Sequence, residues 1–261
     1  MTYQTLLLEQ HGHVLKITLN QPKKRNPLND TSIPELIQAI READLNTETR
    51  CIVLTGAGSA FSAGGDLTSF AKNLERPAPE HYENGRSSAE FFRLAAEIRT
   101  PIISAVNGHA MGGGCGIVAM SHMSIASDRA IFGTTEINLG LFPFVIFPWI
   151  KHAVGEKKAL ELAFTGEKFS AEEARNIGLV QKVVPHEQLL EETMNLAETI
   201  ASRSPLVLRL GLEAYHKTRD LDLKDAIDYL YTLRIVSFMS EDLKEGAQSF
   251  LEKRSPNWKG R

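Results

Sequence analysis

The stretch His109-Ala-Met-Gly-Gly-Gly-Cys-Gly116 decides much of how this chain folds. Its three consecutive glycines let the backbone approach a ligand closely and take conformations that other residues avoid. The apolar residues 117–120 that follow can begin a helix, whose first N–H groups and dipole favour an anion. The stretch therefore predicts an oxyanion site, and Glu136 is the candidate carboxylate for moving protons beside it.

Composition argues against several classes of protein. The 261 residues, 43% of them hydrophobic, suffice for one large domain or one domain with a helical appendage. A net charge of −3 with dispersed Lys and Arg predicts neither nucleic acid nor a membrane as partner. No apolar run reaches the ~20 residues that span a bilayer, and the first four residues do not resemble a signal peptide. Since Cys51 and Cys115 make no disulfide framework, we expect a reducing, cytoplasmic setting.

Strands and helices alternate in the first part of the chain. The hydrophobic pattern predicts three strands, at 15–19, 51–55 and 101–106. An apolar stripe predicts a helix over 33–40, with Asp30 or Thr31 as its cap. Residues 68–86 are polar and contain two prolines and a glycine, so we expect a mobile loop there, followed by a helix over 87–98.

Helices dominate the second part. Ser170-Ala-Glu-Glu173 fits a capping box, Gly178 is typical of a helix end, and 180–184 reads as one more strand. Beyond it the pattern predicts four helices, at about 186–203, 205–218, 222–239 and 240–253.

Motifs of other reaction classes are missing from the sequence. No H-x-x-x-H or C-x-x-C pair is present, so we expect no metal site and interpret His11 and His13 as exposed strand residues. The glycine stretch lacks the Gly-Lys-Ser/Thr ending of a P-loop, and neither a dinucleotide fingerprint nor a G-x-S-x-G elbow occurs. Cys115 is interpreted as a small core residue in preference to a helix N-terminal thiolate.

A second glycine turn supports a family resemblance. Ala60-Phe-Ser-Ala-Gly-Gly-Asp-Leu67, together with the first turn, resembles the enoyl-CoA hydratase/isomerase, or crotonase, family. The resemblance covers nearly the whole chain. Its other motifs are Pro22–Leu28, Pro101–Gly108, Thr165–Ser170, 171–184 and Glu245–Lys253. Their order and spacing together make the resemblance specific.

The resemblance implies an α/β fold with a spiral core of strand–strand–helix units over 1–200 and a helical trimerisation region over 201–261. It implies an acyl-CoA thioester substrate, with coenzyme A entering as part of that substrate, and neither a metal nor a redox cofactor. A homotrimer or a dimer of trimers is expected. Nucleic-acid binding, reported within the family, is an alternative against which the charge balance argues.

The implied oxyanion hole consists of the backbone N–H groups of Gly65 and Gly113. They would hold the thioester oxygen while C2 becomes an enolate, and each such donor contributes ~10²–10³ in rate. Ser59 and Thr68 stand where well-known hydratases have basic residues, so phosphate contacts are fewer or differently placed. Contacts with CoA are implied for Lys23, Arg25, Ala63, Asp66 and Leu67, and across a subunit boundary for Phe250 and Lys253.

The chain departs from typical hydratases of this family at Gly116. Those enzymes carry one glutamate there and another at the position of Glu136, so one activates water while the other exchanges a proton with C2. A single carboxylate suffices for Δ3–Δ2 enoyl-CoA isomerisation, which we rank first. Enoyl-CoA hydration in fatty-acid or related acyl-CoA degradation ranks second, and decarboxylation, thioester hydrolysis or impaired acyl-CoA binding third. Tyr82, Glu83 or Arg86 is a candidate second polar group.

An apolar stretch, 137–148, follows Glu136 and looks isomerase-like. An apolar wall beside the carboxyl group would raise its pKa and exclude water. The alternative is that Phe142, Phe144 and Phe147 only fill the core, and the sequence leaves both interpretations open.

Overall fold

Alternating apolar and polar residues build the first hairpin of the protein. The structure, a computed structural model, describes residues 3–261. It leaves undescribed the side chains of Phe70, Lys72, Asn73 and Asn84. Strand β1 (Leu6–His11) pairs antiparallel with β2 (Val14–Leu19). Leu15, Ile17 and Leu19 of β2 are buried, as their alternation predicts.

A large sheet extends from this hairpin. Its order is β1-β2-β4-β7-β9-β12, and every pair after the hairpin is parallel. The added strands are β4 (Cys51–Gly56), β7 (Ile102–Val106), β9 (Met123–Ser127) and β12 (Lys182–Val184). Ile52 and Leu54 pack into one hydrophobic cluster, whereas Cys51 and Val53 pack into a second. The sheet is therefore covered on both faces, which explains its continuous apolar runs.

A small sheet lies beside the large one, in the order β11-β10-β8-β5. Its strands are β5 (Ala60–Ser62), β8 (His109–Met111), β10 (Ile131–Gly133) and β11 (Phe169–Ser170). A separate pair joins β3 (Pro27–Leu28) to β6 (Gly64–Gly65). In three successive units, a large-sheet strand is followed by a small-sheet strand and then a helix. This repetition confirms the predicted spiral core.

Helices cover both sheets. Those of the first part are α1 (Ser32–Leu45), α2 (Leu67–Asn73), α3 (Ala78–Leu94), α4 (Gly113–Met120), α5 (Phe147–Val154), α6 (Glu156–Thr165) and α7 (Ala171–Asn176). The last four are α8 (Leu189–Ala201), α9 (Pro205–Thr218), α10 (Leu223–Phe238) and α11 (Glu241–Glu252). Short 3₁₀ helices occupy Pro22–Lys24, Thr135–Leu139 and His186–Gln188.

The four C-terminal helices confirm the sequence prediction. Helix α8 packs on the large sheet, where Leu189, Ala197 and Ala201 are buried. The proposed division at residue 200 remains a prediction. No helix within residues 3–261 is long and apolar enough to cross a membrane.

The loop predicted over 68–86 is wrong, because most of this segment is helical in α2 and α3. Asp66 caps α2 by accepting a hydrogen bond at Oδ1 from the N–H of Thr68 at 2.9 Å. Pro79 falls in the first turn of α3, where a proline costs no hydrogen bond. The prolines that suggested a loop therefore mark a helix start.

Three element boundaries also differ from the predictions. Helix α4 begins at Gly113, earlier than 117, because Gly112 with φ +50° turns the chain directly out of β8. Helix α1 is preceded by Asn29, whose Oδ1 accepts from the N–H of Thr31, while the Thr31 hydroxyl makes no cap. Strand β12 begins at Lys182. The Ser170 capping prediction is confirmed, since its Oγ accepts from the Glu173 N–H at 3.2 Å.

Candidate active site

The two glycine turns meet in the folded chain. Gly64 has φ +79°, a conformation that favours glycine. An ideal Cβ on Gly64 would lie 2.5 Å from the Met111 carbonyl oxygen and 3.0 Å from the amide nitrogen of Gly113. The backbones of the two turns are thus in direct contact, and a side chain at residue 64 would push them apart.

The Gly113 amide is part of this contact, and the Gly65 amide is next to it in sequence. The N–H of Asp66 donates to the Leu28 carbonyl at 3.1 Å. Successive amides of an extended strand point in opposite directions, so the Gly65 amide faces away from β3. Gly113 is the first residue of α4, and the first amides of a helix have no acceptor within it. The two predicted donors are therefore neighbours in space.

Asn26 holds the second turn in place, a role that the sequence analysis missed. It is buried and has φ 53°, a left-handed conformation that asparagine tolerates. Its Nδ2 donates to the carbonyls of Ala57 and Ala60 at 3.0 and 2.8 Å. Ser62 Oγ donates to the Asn26 carbonyl at 2.7 Å and accepts from the Gly64 N–H at 3.2 Å. The available signal was an asparagine in an otherwise basic loop, directly before Pro27.

Glu136 lies over the first glycine turn. It follows β10, in the first turn of the 3₁₀ helix, and an ideal Cβ on Gly112 would lie only 2.9 Å from its Oε1. Its Oε2 is buried and has no hydrogen-bond partner within the described residues. Burial raises the pKa of the Glu136 carboxyl. The arrangement suits a group that both takes and returns a proton.

Apolar side chains wall the start of helix α4. An ideal Cβ on Gly116 would lie 2.3 Å from Ile146 Cγ2 and 3.0 Å from Phe92 Cε1. At Gly113 the equivalent atom would lie 2.8 Å from Leu28 Cδ1. All three apolar residues are at most 6% exposed. With Ile146 and Phe92 in place, the packing therefore leaves room only for glycine at 116, and the residue that covers it is Ile146.

Neither expected role, an apolar wall beside Glu136 or filling of the core, describes all three phenylalanines of 137–148. Phe142 and Phe147 are half-buried, with ring centroids 4.9 Å apart. Phe144 is 69% exposed, so it does not fill the core. Phe142 also contacts Phe164 of α6, at 5.9 Å between ring centroids. The wall beside the glycine helix comes from Ile146, a residue that the sequence analysis did not single out.

The residues predicted to contact CoA fall into two groups. Lys23 and Arg25 are exposed, and the N–H of Ala63 donates to the Arg25 carbonyl at 2.8 Å, so this group adjoins the Gly64 turn. Asp66 caps α2, and Leu67 beside it is 56% exposed. The second group, Phe250 and Lys253, lies at the end of α11, where Phe250 is 83% exposed.

The candidate second polar groups lie elsewhere on α3. Tyr82 precedes Phe92 by ten residues, about 15 Å along a helix axis. It is 73% exposed, and Arg86 pairs with Glu83 at 3.1 Å. The role of these three residues as a second polar group stays a prediction.

The other sequence predictions concern thiols and metals. Cys115 is fully buried, and burial, followed by the charge of nearby Glu136, raises the pKa of its thiol to about 12. Its interpretation as a core residue is confirmed. His11 is exposed, as predicted, and His13 is half-buried. No group of three His, Cys, Asp or Glu side chains in the described part of the chain could hold a metal ion.

Comparison with known proteins agrees with this geometry. The family model for enoyl-CoA hydratase/isomerase matches residues 9–261. The chain belongs to the enoyl-CoA hydratase/isomerase family. The enzyme is 39% identical to a probable mitochondrial enoyl-CoA hydratase of Dictyostelium discoideum, over 97% of this chain and 90% of that protein. It is 34% identical to a crotonyl-CoA hydratase of Syntrophomonas wolfei, over 99% of both chains.

Solved structures show the same fold. An enoyl-CoA hydratase from Bacillus anthracis matches with a TM-score of 0.93 at 31% identity, covering 99% of this chain and 100% of that one. A structure from Geobacillus kaustophilus matches with a TM-score of 0.91 at 37% identity, over 99% of both. The protein is thus an acyl-CoA enzyme with the crotonase fold.

We predict that Gly112→Ala lowers turnover of enoyl-CoA substrates. The new Cβ would lie against Glu136 Oε1 at a positive φ, and a displacement of ~1 Å at a reacting group costs about 10²-fold in rate. Gly211→Ala is the matched control, because a Cβ there meets nothing within 4 Å. Steady-state kinetics on both variants test the prediction, and undiminished turnover of Gly112→Ala would contradict it.

Proposed function

We propose that the enzyme isomerises 3-enoyl-CoA to 2-enoyl-CoA with Glu136 as its single acid/base. The observation that carries this proposal is the position of one buried carboxyl over Gly112, while Gly116, one helical turn further along, is covered by Ile146. A shift of the double bond needs one group that takes a proton from C2 and returns it at C4.

The amides of Gly65 and Gly113 are the proposed donors to the thioester oxygen. Removing the C2 proton leaves a dienolate, whose charge resides largely on that oxygen. Two preorganised N–H groups lower the free energy of this intermediate, with ~10²–10³ in rate for each donor. The direct contact between Gly64 and Gly113 supports this role because it brings the two turns together. The reaction involves no net redox change, so it requires no redox cofactor.

The proposed CoA site begins at the loop around Arg25. Lys23 and Arg25 are exposed cations next to the Ala63 backbone, which suits the phosphates of the nucleotide. Asp66 and Leu67 follow the Gly65 amide and would border the thiol arm.

Hydration is the second candidate function. It is favoured by the names of the relatives, which include enoyl-CoA, crotonyl-CoA and short-chain-enoyl-CoA hydratases. Adding water to C3 while protonating C2 calls for a second proton-transfer group. The apolar cover of Gly116 gives none at that position.

Glu136→Gln tests the proposal directly. We expect the wild type to convert 3-enoyl-CoA into 2-enoyl-CoA, and the variant to lose ~10²–10⁴ in kcat, the usual value of a general acid/base. Glu172→Gln, an exposed glutamate on α7, is the control. Mass analysis of the products separates migration from addition of water. Rapid hydration of 2-enoyl-CoA without migration, or full activity of Glu136→Gln, would refute the assignment.

The pH dependence of kcat and of stability should reflect the ionisation of the buried Glu136 carboxyl. Glu136 acts as a base only when ionised, and its raised pKa shifts the acid limb of kcat above the ~4.3 of an ordinary glutamate.

The raised pKa also makes stability depend on pH. Between the pKa of Glu136 in the unfolded chain and its higher pKa in the folded protein, the folded state binds more protons than the unfolded state, so stability falls as pH rises through that window. Glu136→Gln should therefore raise the melting temperature at pH 7 relative to wild type, and this difference should vanish near pH 4. An equal difference at both pH values would contradict the assigned cause.

We also infer that the chain forms a homotrimer or a dimer of trimers. Large apolar side chains are exposed along α10 and α11: Leu223, Ile227, Tyr231, Phe238, Met239, Phe250 and Leu251. Many exposed large apolar side chains on neighbouring segments of the chain are typical of an interface. Sedimentation should give three or six chains, and Ile227→Asp should lower that number, whereas Lys224→Asp on the same helix serves as control. A monomeric wild type would overturn the inference.

A further inference from the structure

The start of helix α4, with its N-cap Gly112, carries both features of the proposed site. Gly112 is the N-cap of α4, and its carbonyl accepts from the Gly116 N–H at 3.0 Å, so the two glycines lie one helical turn apart. The Glu136 carboxyl covers Gly112, with Oε1 2.9 Å from an ideal Cβ. Ile146 covers Gly116, with Cγ2 at 2.3 Å and Cβ at 2.8 Å from the equivalent atom. A methyl-bearing side chain thus occupies the place next to the acid.

Ile146 is held firmly at this position. It is 1% exposed and directly precedes α5, where its carbonyl accepts from the Ile150 N–H at 3.1 Å. Trp149 of the same helix donates from Nε1 to the Phe92 carbonyl at 2.8 Å. Phe92 is the other side chain against Gly116. The bond between α5 and α3 therefore fixes both apolar residues over the glycine.

The side chains nearest to Gly113 and Gly116 supply no polar partner for an ordered water. A buried water needs space and two to four polar partners, and the side chains against Gly113 and Gly116 are Leu28, Phe92 and Ile146. Hydration forms a bond from water oxygen to C3, places a proton on C2 and requires a group that accepts the remaining water proton. Isomerisation moves one proton from C2 to C4 through one carboxylate and uses no water.

We propose that Ile146 determines the reaction class, a role that rests on the proposed function. By filling the space beside Gly116 it excludes both a second proton-transfer group and a water molecule from the position one helical turn beyond the glycine that Glu136 covers. Ile146 acts through this exclusion, so it is a specificity-determining residue. The isomerase would then differ from a hydratase by one packed isoleucine as much as by one missing glutamate.

A matched pair of variants tests the proposal. Ile146→Thr and Ile146→Val have nearly the same shape, but only threonine offers a hydroxyl to water. Each variant is assayed with 3-enoyl-CoA for migration and with 2-enoyl-CoA in ¹⁸O-labelled water for hydration. We expect the ratio of hydration to migration to be about tenfold higher in Ile146→Thr than in Ile146→Val, the effect of one hydrogen bond on a rate. Equal ratios would overturn the proposal.

A larger change provides a second measurement. Gly116→Glu alone should fold poorly, because its side chain meets Ile146. Gly116→Glu/Ile146→Gly should hydrate 2-enoyl-CoA at least tenfold faster than wild type, since general acid/base groups contribute ~10²–10⁴. Hydration by Gly116→Glu alone at the rate of the double variant would show that Ile146 excludes nothing. The wild-type products test the proposed function separately. If the wild type shifts the double bond but the threonine and valine variants give equal ratios of hydration to migration, only the role of Ile146 is refuted.

Discussion

The contact between the Gly64 backbone and the Gly113 amide is the constraint on which the site depends. No side chain fits between the two segments, since an ideal Cβ at residue 64 would lie 2.5 Å from the Met111 carbonyl. The contact is maintained from one side by the Asn26 and Ser62 hydrogen bonds and from the other by the pairing of β5 with β8. Two amides from distant parts of the chain are thereby placed side by side without any hydrogen bond between flexible side chains.

The burial of Glu136 is the second feature of the candidate site. Glu136 has a buried oxygen without a partner in the described structure, and its burial favours the protonated form. One helical turn from Gly112, which Glu136 covers, Ile146 and Phe92 lie against Gly116. Under the proposed function, the apolar residues that complete the core also limit which groups can lie beside the Glu136 carboxyl.

Much of this architecture was predictable from local pattern. The strand alternation at Leu15, Ile17 and Leu19 and the four C-terminal helices agree with the structure because periodicity reports burial directly. The segment 68–86 was mispredicted because proline is common both in loops and in the first turn of a helix, and Pro79 lies in the first turn of α3. The candidate residues Gly65, Gly113 and Glu136 came from the family motifs, and the fold brings their surroundings together. Their catalytic roles are for experiment to decide.

Glycine spacing, hydrophobic period and the absence of a carboxylate at Gly116 can all be read along the chain, because each is a property of neighbouring residues. The roles of Asn26 and Ile146 cannot, because each acts on a segment thirty or more residues away in sequence. Nothing in an isolated apolar stretch tells which of its members turns inward. Phe144 is exposed to solvent whereas Ile146 contacts Gly116 of α4, because the packing of α5 against α3 places Ile146 there.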